Sequence, residues 1–240
     1  MLRRLLNGLK DIIYPQTCLA CKRLFRSREP EFICSSCRER IALNIPPLCN
    51  SCGRHLNENS LKSKICPQCL RNRLHFDRAF SPCIYEGVVK ELIHQFKYKG
   101  KVYLGKPLSR FLIDFIGEYD LPIAYMDSII PMPLYKLRLR EREYNQSQIL
   151  SQHVADAFGI KLLNSALLRC RNTKQQAEME AAGRFINVKD SFMVPEKEKI
   201  NGKNILLIDD VLTTGATSSE AALALKNSGA NIVFVLTLAN

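Results

Sequence analysis

Apolar and polar residues alternate with two different periods along the C-terminal two thirds of the chain. Short apolar runs indicate buried strands, and apolar residues at helical spacing indicate amphipathic helices. The predicted strands lie in AFSPCIYEG, MDSIIPMPL, IKLLNSALLRC, KNILLIDDVL and NIVFVLTLA, and the predicted helices in VVKELIHQFKYKG, GKPLSRFLIDFIGEY, NQSQILSQHVADAFG and TSSEAALALKNSG. Residues 171–190 are polar and charged, which indicates a loop. Strands that alternate with helices predict an α/β domain with a mostly parallel sheet.

The N-terminal part of the chain has a different character. Residues 14–70 contain few apolar residues that could form a core, so a bound metal must supply much of their stability. We therefore predict two domains, residues 1–77 and residues 78–240. Before the first domain's cysteines, apolar residues at helical spacing predict an amphipathic helix; they are Leu2, Leu5, Leu6, Leu9 and Ile13. This helix either packs on the next domain or lies on a membrane surface.

Eight of the ten cysteines form four CxxC pairs, which are Cys18/Cys21, Cys34/Cys37, Cys49/Cys52 and Cys66/Cys69. The sequence shows no convincing export signal, so we expect a cytoplasmic protein in which disulfides are a poor explanation for the pairs. Two pairs together supply the four thiolates of a closed, structural zinc site, and the chain therefore predicts two zinc ions. Consecutive pairing is the preferred interpretation; an interleaved arrangement would use the same residues. We call residues 18–37 the first ribbon and residues 49–69 the second ribbon.

Positive charge is concentrated near the N-terminus. The net charge is +12, and residues 1–80 carry 15 Lys/Arg against 6 Asp/Glu. The basic residues to which we assign nucleic-acid contact are Lys22, Arg23, Arg26 and Arg28, and Arg71, Arg73 and Arg78 near the predicted domain boundary. Such a surface is compatible with single-stranded DNA, and the competing interpretation is a merely solvated surface. No apolar run approaches the roughly 18 residues that a membrane span needs.

The most informative motif follows a buried strand, Ile205–Ile208. Asp209 and Asp210 stand at its carboxyl end, where open α/β sheets bind ligands. A Thr/Gly loop then leads directly into a helix, whose free N–H groups and positive end suit a phosphate. Adjacent carboxylates suit the two hydroxyls of a ribose and a hydrated magnesium ion.

The strand, the acid pair and the TTGAT loop resemble the phosphoribosyl pyrophosphate signature of type I phosphoribosyltransferases. The resemblance implies that Asp209 and Asp210 bind the ribose hydroxyls, with magnesium accompanying the ligand. It implies that the 5-phosphate is bound by Thr213, Thr214, Gly215, Ala216 and Thr217, and the diphosphate by Arg138, Arg140 and Arg142. A polar segment with Thr173, Lys174, Gln176, Arg184 and Asn187 resembles the mobile flap of these enzymes. The implied catalytic residues are Asp209, Asp210, Arg142 and Lys174.

Nearly the whole chain resembles the ComF family through the ordered motifs YEG…LIHQFKYKG, PMPL…RERxxNQ, TxxQ…RxxN and IDDVLTTGAT after the cysteine pairs. The sequence departs from that family at Glu143, where a glycine would allow close approach of the backbone to the ligand. The resemblance implies a cytoplasmic factor of natural transformation, and the predicted N-terminal amphipathic helix adds the inner membrane face as a second location. Its implied partners are phosphoribosyl pyrophosphate, single-stranded DNA and proteins of the DNA-uptake machinery. A metabolic phosphoribosyltransferase acting on a nucleobase or amine, and a nucleotide sensor without turnover, remain alternatives.

Overall fold

The computed structural model describes residues 16–25, 32–173 and 181–240. The predicted N-terminal helix, the basic residues Arg26 and Arg28, and the flap residues Lys174 and Gln176 lie outside these ranges. Within them, no helix combines the length and the apolar character that a membrane crossing requires.

The cysteine-rich part consists of short elements joined by turns. These are strands β1 (Gln16–Thr17) and β2 (Leu24–Phe25), helices α1 (Ser35–Arg38) and α2 (Pro67–Arg71), and a 3-10 turn at Glu58–Ser60. Strands β1 and β2 pair antiparallel, with Gln16 opposite Phe25. Elements this short bury little apolar surface, which agrees with the expectation that metal supplies much of their stability.

The rest of the described chain alternates between strands and helices. The strands are β3 (Arg78–Phe80), β4 (Ser128–Pro131), β5 (Lys161–Leu162), β6 (Leu168–Arg169), β7 (Phe192–Met193), β8 (Asn204–Val211) and β9 (Ile232–Ala239). The helices are α3 (Gly87–Tyr98), α4 (Gly105–Glu118), α5 (Lys136–Arg142), α6 (Gln146–Phe158), α7 (Ala181–Val188) and α8 (Ala216–Asn227). Shorter 3-10 turns occur at Val102–Leu104, Ile123–Tyr125 and Lys197–Lys199.

A five-stranded sheet forms the centre of this part, with strand order β3-β9-β8-β4-β5. All four neighbouring pairs of strands run parallel. The longest ladder joins β8 to β9, from Asn204 opposite Ile232 to Val211 opposite Ala239. Strands β6 and β7 form a separate antiparallel pair. The predicted α/β class with a parallel sheet is therefore confirmed.

Helices cover both faces of the sheet. On one face Leu206 and Leu236 are buried in the cluster that includes residues of α3, α4 and α6. On the other face Leu207 and Val235 are buried with residues of α8. Because successive side chains of a strand point to opposite faces, a strand buried on both sides must be apolar at consecutive positions. The run from Ile205 to Ile208 meets that requirement.

Three segments differ from the secondary structure predicted from the sequence. The strand predicted in IKLLNSALLRC is two short strands, β5 and β6, separated by a turn. The predicted polar loop contains helix α7, in which Val188 is buried and which packs against α8. The basic segment after β4, for which the residue pattern predicted no helix, contains helix α5. Short helices owe most of their stability to tertiary packing, which the local pattern of residues does not reveal.

The two ribbons pack on different elements of the α/β part. Gln95 in α3 donates a hydrogen bond from Nε2 to the first-ribbon carbonyl of Leu19, at 2.6 Å. In the second ribbon Gly53 has φ +71°, and a Cβ added there would lie 2.4 Å from the carbonyl oxygen of Ala79 in β3. The Ala79 N–H in turn donates to the carbonyl of Ser51 at 2.7 Å. Only glycine allows this close approach. The domain boundary near residue 77 stays a prediction.

Candidate functional site

The eight paired cysteines lie in two groups of four. The sulfur atoms of Cys18, Cys21, Cys34 and Cys37 lie within 4.8 Å of one another, and so do those of Cys49, Cys52, Cys66 and Cys69. The structure thus groups the pairs consecutively, as preferred from the sequence, and not in the interleaved arrangement.

Both groups fit zinc. A Zn–S bond of about 2.3 Å in a tetrahedron places the sulfurs about 3.8 Å apart, and Cys21 Sγ lies 3.8 Å from Cys34 Sγ. The backbone N–H of Cys34 donates to Cys18 Sγ at 3.4 Å, and the second ribbon repeats this bond from Cys66 to Cys49 Sγ at 3.3 Å. Such bonds stabilise thiolates, the form in which cysteine binds metal. Four protein ligands leave no open coordination position, so both sites suit a structural role.

Asp209 and Asp210 lie at the carboxyl end of β8, and both carboxylates have partners. Oδ1 of Asp209 accepts hydrogen bonds from Ser147 Oγ at 3.0 Å and from the N–H of Asp210 at 2.8 Å. Oδ1 of Asp210 lies 2.6 Å from Nζ of Lys97, with side chains that are 10% and 18% exposed, respectively. The acid pair is therefore held by Ser147 at the start of α6 and by Lys97 at the end of α3.

The electrostatics of this group favour a cationic or hydrogen-bond-donating ligand. Desolvation of Asp209, together with the nearby charge of Asp210, raises the pKa of Asp209 to about 7. Burial by itself would lower the pKa of Lys97, but the carboxylate of Asp210 outweighs it and raises that pKa, so Lys97 stays protonated. Above about pH 7 the pair carries two negative charges and Lys97 balances one of them. Ribose hydroxyls or a hydrated cation would stabilise the remaining negative charge of the acid pair.

The segment from Thr213 to Thr217 forms a tight turn between the acid pair and helix α8. Gly215 caps the helix with φ +80° and ψ 0°, and a Cβ added there would lie 3.3 Å from Cδ2 of Leu74. The N–H of Ala216 donates to Thr214 Oγ1 at 3.4 Å. Because the first N–H groups of a helix have no partners within the helix, this turn can bind an anion directly beside the two acids.

The basic segment forms one wall of a cavity of about 300 Å³ next to the acid pair. The cavity is lined by Lys97, Tyr98, Gly100, Arg138, Glu141, Arg142 and Glu143. The guanidinium of Arg142 lies 4.7 Å from the centre of the Tyr98 ring and donates to Gln146 Oε1 at 3.2 Å. Arg140 is exposed and does not line this cavity. Lys97 therefore belongs both to the cavity and to the acid pair.

Glu143 ends helix α5 in the left-handed conformation, with φ +64° and ψ −12°. Residues other than glycine pay roughly 1–2 kcal/mol for this conformation. A glycine at this position would therefore be favoured for two reasons: it adopts the left-handed conformation without strain, and it allows close approach of the backbone to a ligand. The Glu143 side chain also adds a negative charge to the lining of a cavity that is otherwise suited to an anion.

The predicted flap is described only in part. Thr173 is buried; its carbonyl accepts from Arg138 Nη2 at 2.9 Å, and its hydroxyl accepts from Arg169 Nη2 at 2.6 Å. Lys174 follows outside the described residues. Arg184 and Asn187 are half-buried on α7. The start of the segment is thus joined to the basic helix α5 through Arg138.

Sequence reasoning did not assign three residues to this site, which are Lys97, Ser147 and Arg54. Lys97 lies in the motif FKYKG and Ser147 in the motif NQSQ. The polar residues of these motifs were noticeable in the sequence, but nothing there indicated which residues they contact. Arg54 follows the second cysteine pair of its ribbon, and its Nη2 donates to the carbonyls of Leu212, at 3.1 Å, and Thr213. These contacts link residues 158 positions apart or more, which no local pattern indicates.

The fold and the two cysteine groups define a protein in which a double zinc ribbon is joined to a parallel α/β part. A family model for the double zinc ribbon domain matches residues 9–70. The chain is 30% identical over 208 residues to the DNA utilization protein YhgH of Escherichia coli O6:H1, covering 86% of this chain and 89% of that protein. It is 29% identical to competence protein F of Haemophilus influenzae, over 86% of this chain and 90% of the relative. The chain belongs to the ComF family.

One further relative agrees with that assignment in extent. Competence protein ComFC of Bacillus subtilis is 27% identical over 236 residues, covering 90% of this chain and 91% of its own. A solved structure of glutamine phosphoribosylpyrophosphate amidotransferase from B. subtilis, complexed with ADP and GMP, covers 58% of this chain and 26% of its own. It is 19% identical with a TM-score of 0.35, a likeness too small to bear on function.

Proposed function

We propose that this protein binds phosphoribosyl pyrophosphate, with magnesium, along the carboxyl edge of the sheet. Asp209 and Asp210 bind the ribose hydroxyls, and the turn from Thr213 to Thr217 binds the 5-phosphate. The diphosphate lies in the 300 Å³ cavity beside α5. The observation that supports this proposal is the continuity of the three parts, because Lys97 both lines the cavity and pairs with Asp210.

The charges around the cavity explain why magnesium belongs in the proposal. The cavity is lined by the cations Lys97, Arg138 and Arg142 and by the carboxylates Glu141 and Glu143. Because Lys97 is already paired with Asp210, the other two cations only balance the two acids, and no positive charge remains for a diphosphate. A hydrated magnesium ion would supply two further charges and accept oxygen ligands from the diphosphate. We assign Lys97 a contact with the diphosphate because it lines the cavity while it pairs with Asp210.

If transfer occurs, we assign the chemistry to charge stabilisation and positioning. Arg142 and Lys174 would stabilise the negative charge that develops on the departing pyrophosphate, while Asp209 and Asp210 fix the ribose. No protein nucleophile is required. Incubation with phosphoribosyl pyrophosphate and a panel of nucleobases and amines, followed by chromatography, tests this step. A phosphoribosylated product supports a transferase, and binding without a product supports a sensor or a DNA-handling role.

We further propose that the protein handles single-stranded DNA in the cytoplasm, together with proteins of DNA uptake, and with the inner membrane face as a second location. The names of the relatives, which refer to competence and DNA utilization, support this role. So does the excess of positive charge in residues 1–80. Within that region Arg71 and Arg73 are exposed, whereas Arg78 is half-buried with its guanidinium 5.1 Å from the Phe80 ring. Arg71 and Arg73 are therefore better placed than Arg78 to contact phosphate.

Isothermal titration calorimetry with phosphoribosyl pyrophosphate, with and without magnesium, tests the central proposal. Replacing both Asp209 and Asp210 by Asn should weaken binding at least about tenfold, since each charge-assisted hydrogen bond contributes about 1.5–3 kcal/mol. Asp114→Asn, which alters an exposed ion pair with Arg110, is the matched control and should bind as the wild type does. Equal affinities for the wild type and the double variant would refute the ribose assignment.

A further inference from the structure

A second and larger cavity lies between the second ribbon and the Thr213–Thr217 turn, and we call it the junction cavity. Its volume is about 890 Å³, within the range of roughly 300–1,000 Å³ typical of ligand sites. The second ribbon and the residues directly after it contribute Arg54, Pro67, Gln68, Arg71 and Asn72, and the α/β part contributes Tyr85, Arg184, Phe185, Thr213, Thr214 and Asn240. Since Tyr85, Thr213 and Asn240 follow β3, β8 and β9, the cavity opens at the carboxyl edge of the sheet.

The walls of the junction cavity are held in a fixed relation by Arg54. Its Nη1 donates to Gln68 Oε1 at 2.5 Å, within the second ribbon. Its Nη2 donates to the carbonyls of Leu212, at 3.1 Å, and Thr213. The close approach of Gly53 to the backbone of β3 adds a second fixed point. Both walls therefore form one preorganised surface, which reduces the entropy that a ligand loses by binding.

The chemistry of the lining selects a particular ligand. Three arginines line the cavity, and none of its described lining residues is acidic. Arginine forks suit phosphate, and Arg71 lies exposed at the ribbon wall. The rings of Tyr85 and Phe185 offer faces for a planar base. The amides of Gln68, Asn72 and Asn240 can donate to and accept from a base edge.

We infer that the junction cavity binds a nucleotide unit, with its phosphate at Arg71 and its base in the part lined by Tyr85 and Phe185. The inference rests on the proposed function in one respect, since single-stranded DNA is one source of such a unit. A free nucleotide is the other source. The cavity adjoins the proposed 5-phosphate turn at Thr213 and Thr214, so a bound nucleotide lies next to bound phosphoribosyl pyrophosphate.

The test uses the full, zinc-loaded chain and two probes, dTMP by calorimetry and a short labelled oligothymidine by fluorescence anisotropy. Both titrations are done without and with saturating phosphoribosyl pyrophosphate and magnesium. Arg71→Glu is compared with Lys161→Glu, because Lys161 is also exposed and carries the same charge, but lies opposite Ser128 at the start of β4 and does not line the cavity. Arg71→Glu should weaken the binding of both probes at least about tenfold, because it removes a charge-assisted contact with the phosphate. Lys161→Glu should stay within about twofold of the wild type.

Each outcome has a defined meaning. A loss of probe affinity confined to Arg71→Glu supports the inference. Tight binding of both probes then indicates that free nucleotides are ligands, whereas binding of the oligonucleotide alone indicates that the ligand is a strand. Equal effects of the two substitutions, no binding of either probe, or displacement of dTMP by phosphoribosyl pyrophosphate would overturn it. If the wild type fails to bind phosphoribosyl pyrophosphate, the proposed function fails. The comparison of Arg71 with Lys161 still decides the junction cavity. Circular dichroism and zinc content confirm that each variant is folded.

Discussion

Removing the charge of Asp209 should make the protein more stable, and more so at high pH. Desolvation and the neighbouring Asp210 raise the pKa of Asp209 from 3.8 to about 7. The folded state thus keeps this proton to a higher pH than the unfolded state does. The unfolded state binds fewer protons between these values, so stability falls as the pH rises from about 4 to about 7.

The size of the effect follows from the two pKa values. One pKa unit corresponds to about 1.4 kcal/mol, so the raised pKa of Asp209 costs about 4 kcal/mol of folding free energy near pH 8, where the carboxylate is ionised. Near pH 5.5, where the folded state keeps the proton, it costs about 2 kcal/mol. Asn at this position keeps an oxygen that can accept from Ser147 and from the N–H of Asp210. Asp209→Asn should therefore raise the free energy of unfolding by about 2 kcal/mol more near pH 8 than near pH 5.5.

Urea unfolding of the zinc-loaded protein at both pH values, without magnesium or ligand, measures this difference. Zinc binding also weakens at low pH, but that effect is common to the wild type and the variant and cancels in their comparison. Asp114→Asn is the control, because it removes an exposed charge from an i,i+4 pair and should change stability by less than about 0.5 kcal/mol. The same gain at both pH values would show that Asp209 does not titrate as the structure indicates.

Three further predictions concern the metal sites, helix α5 and nucleic acid. Metal analysis of the freshly purified, reduced protein should give about two zinc ions per chain. Cys66→Ser should weaken phosphoribosyl pyrophosphate binding more than Cys34→Ser, since Arg54 of the second ribbon donates to the carbonyls of Leu212 and Thr213; equal losses would contradict this. Glu143→Gly should tighten the binding of phosphoribosyl pyrophosphate in calorimetry, because it removes a carboxylate from the cavity; weaker binding would place Glu143 outside the ligand site. It should change the melting temperature little, because relief of about 1–2 kcal/mol of backbone strain is opposed by about 1 kcal/mol of unfolded-state entropy. Affinity for single-stranded DNA should fall steeply with salt and show little sequence preference in fluorescence anisotropy; a flat salt dependence would exclude a phosphate-dominated interface.

The second ribbon has a different relation to the α/β part than its sequence suggests. As a sequence it is a metal-stabilised module that precedes a separate domain. In the structure its Gly53 lies against β3, and its Arg54 holds the carbonyls of Leu212 and Thr213. The metal site of the second ribbon is thus connected through Arg54 to the turn that we propose as the 5-phosphate site. We expect the zinc of the second ribbon to matter for the ligand site as well as for folding.

The amino-acid sequence by itself determined the features that depend on neighbouring residues. Apolar runs and helical periodicity indicate the strands and most helices, because burial imposes periods of two and of about 3.6 residues on adjacent positions. The four CxxC pairs indicate two metal sites, because two thiolates separated by two residues can bind the same ion and a structural zinc ion takes two such pairs. The two acids at the end of β8 and the turn proposed to bind a phosphate lie close together because they are nearly consecutive in the chain.

Only the tertiary structure decided which distant residues meet. The sequence left the grouping of the cysteine pairs open, and it gave no indication that Lys97 pairs with Asp210 or that Arg54 contacts Leu212. It also gave no indication that the backbone of Glu143 is in the left-handed conformation. Glu143 adopts that conformation at the point where α5 ends and the chain turns toward α6. Contacts of this kind depend on how helices and ribbons pack on the sheet. That packing minimises the free energy of the whole chain, and no short segment encodes it.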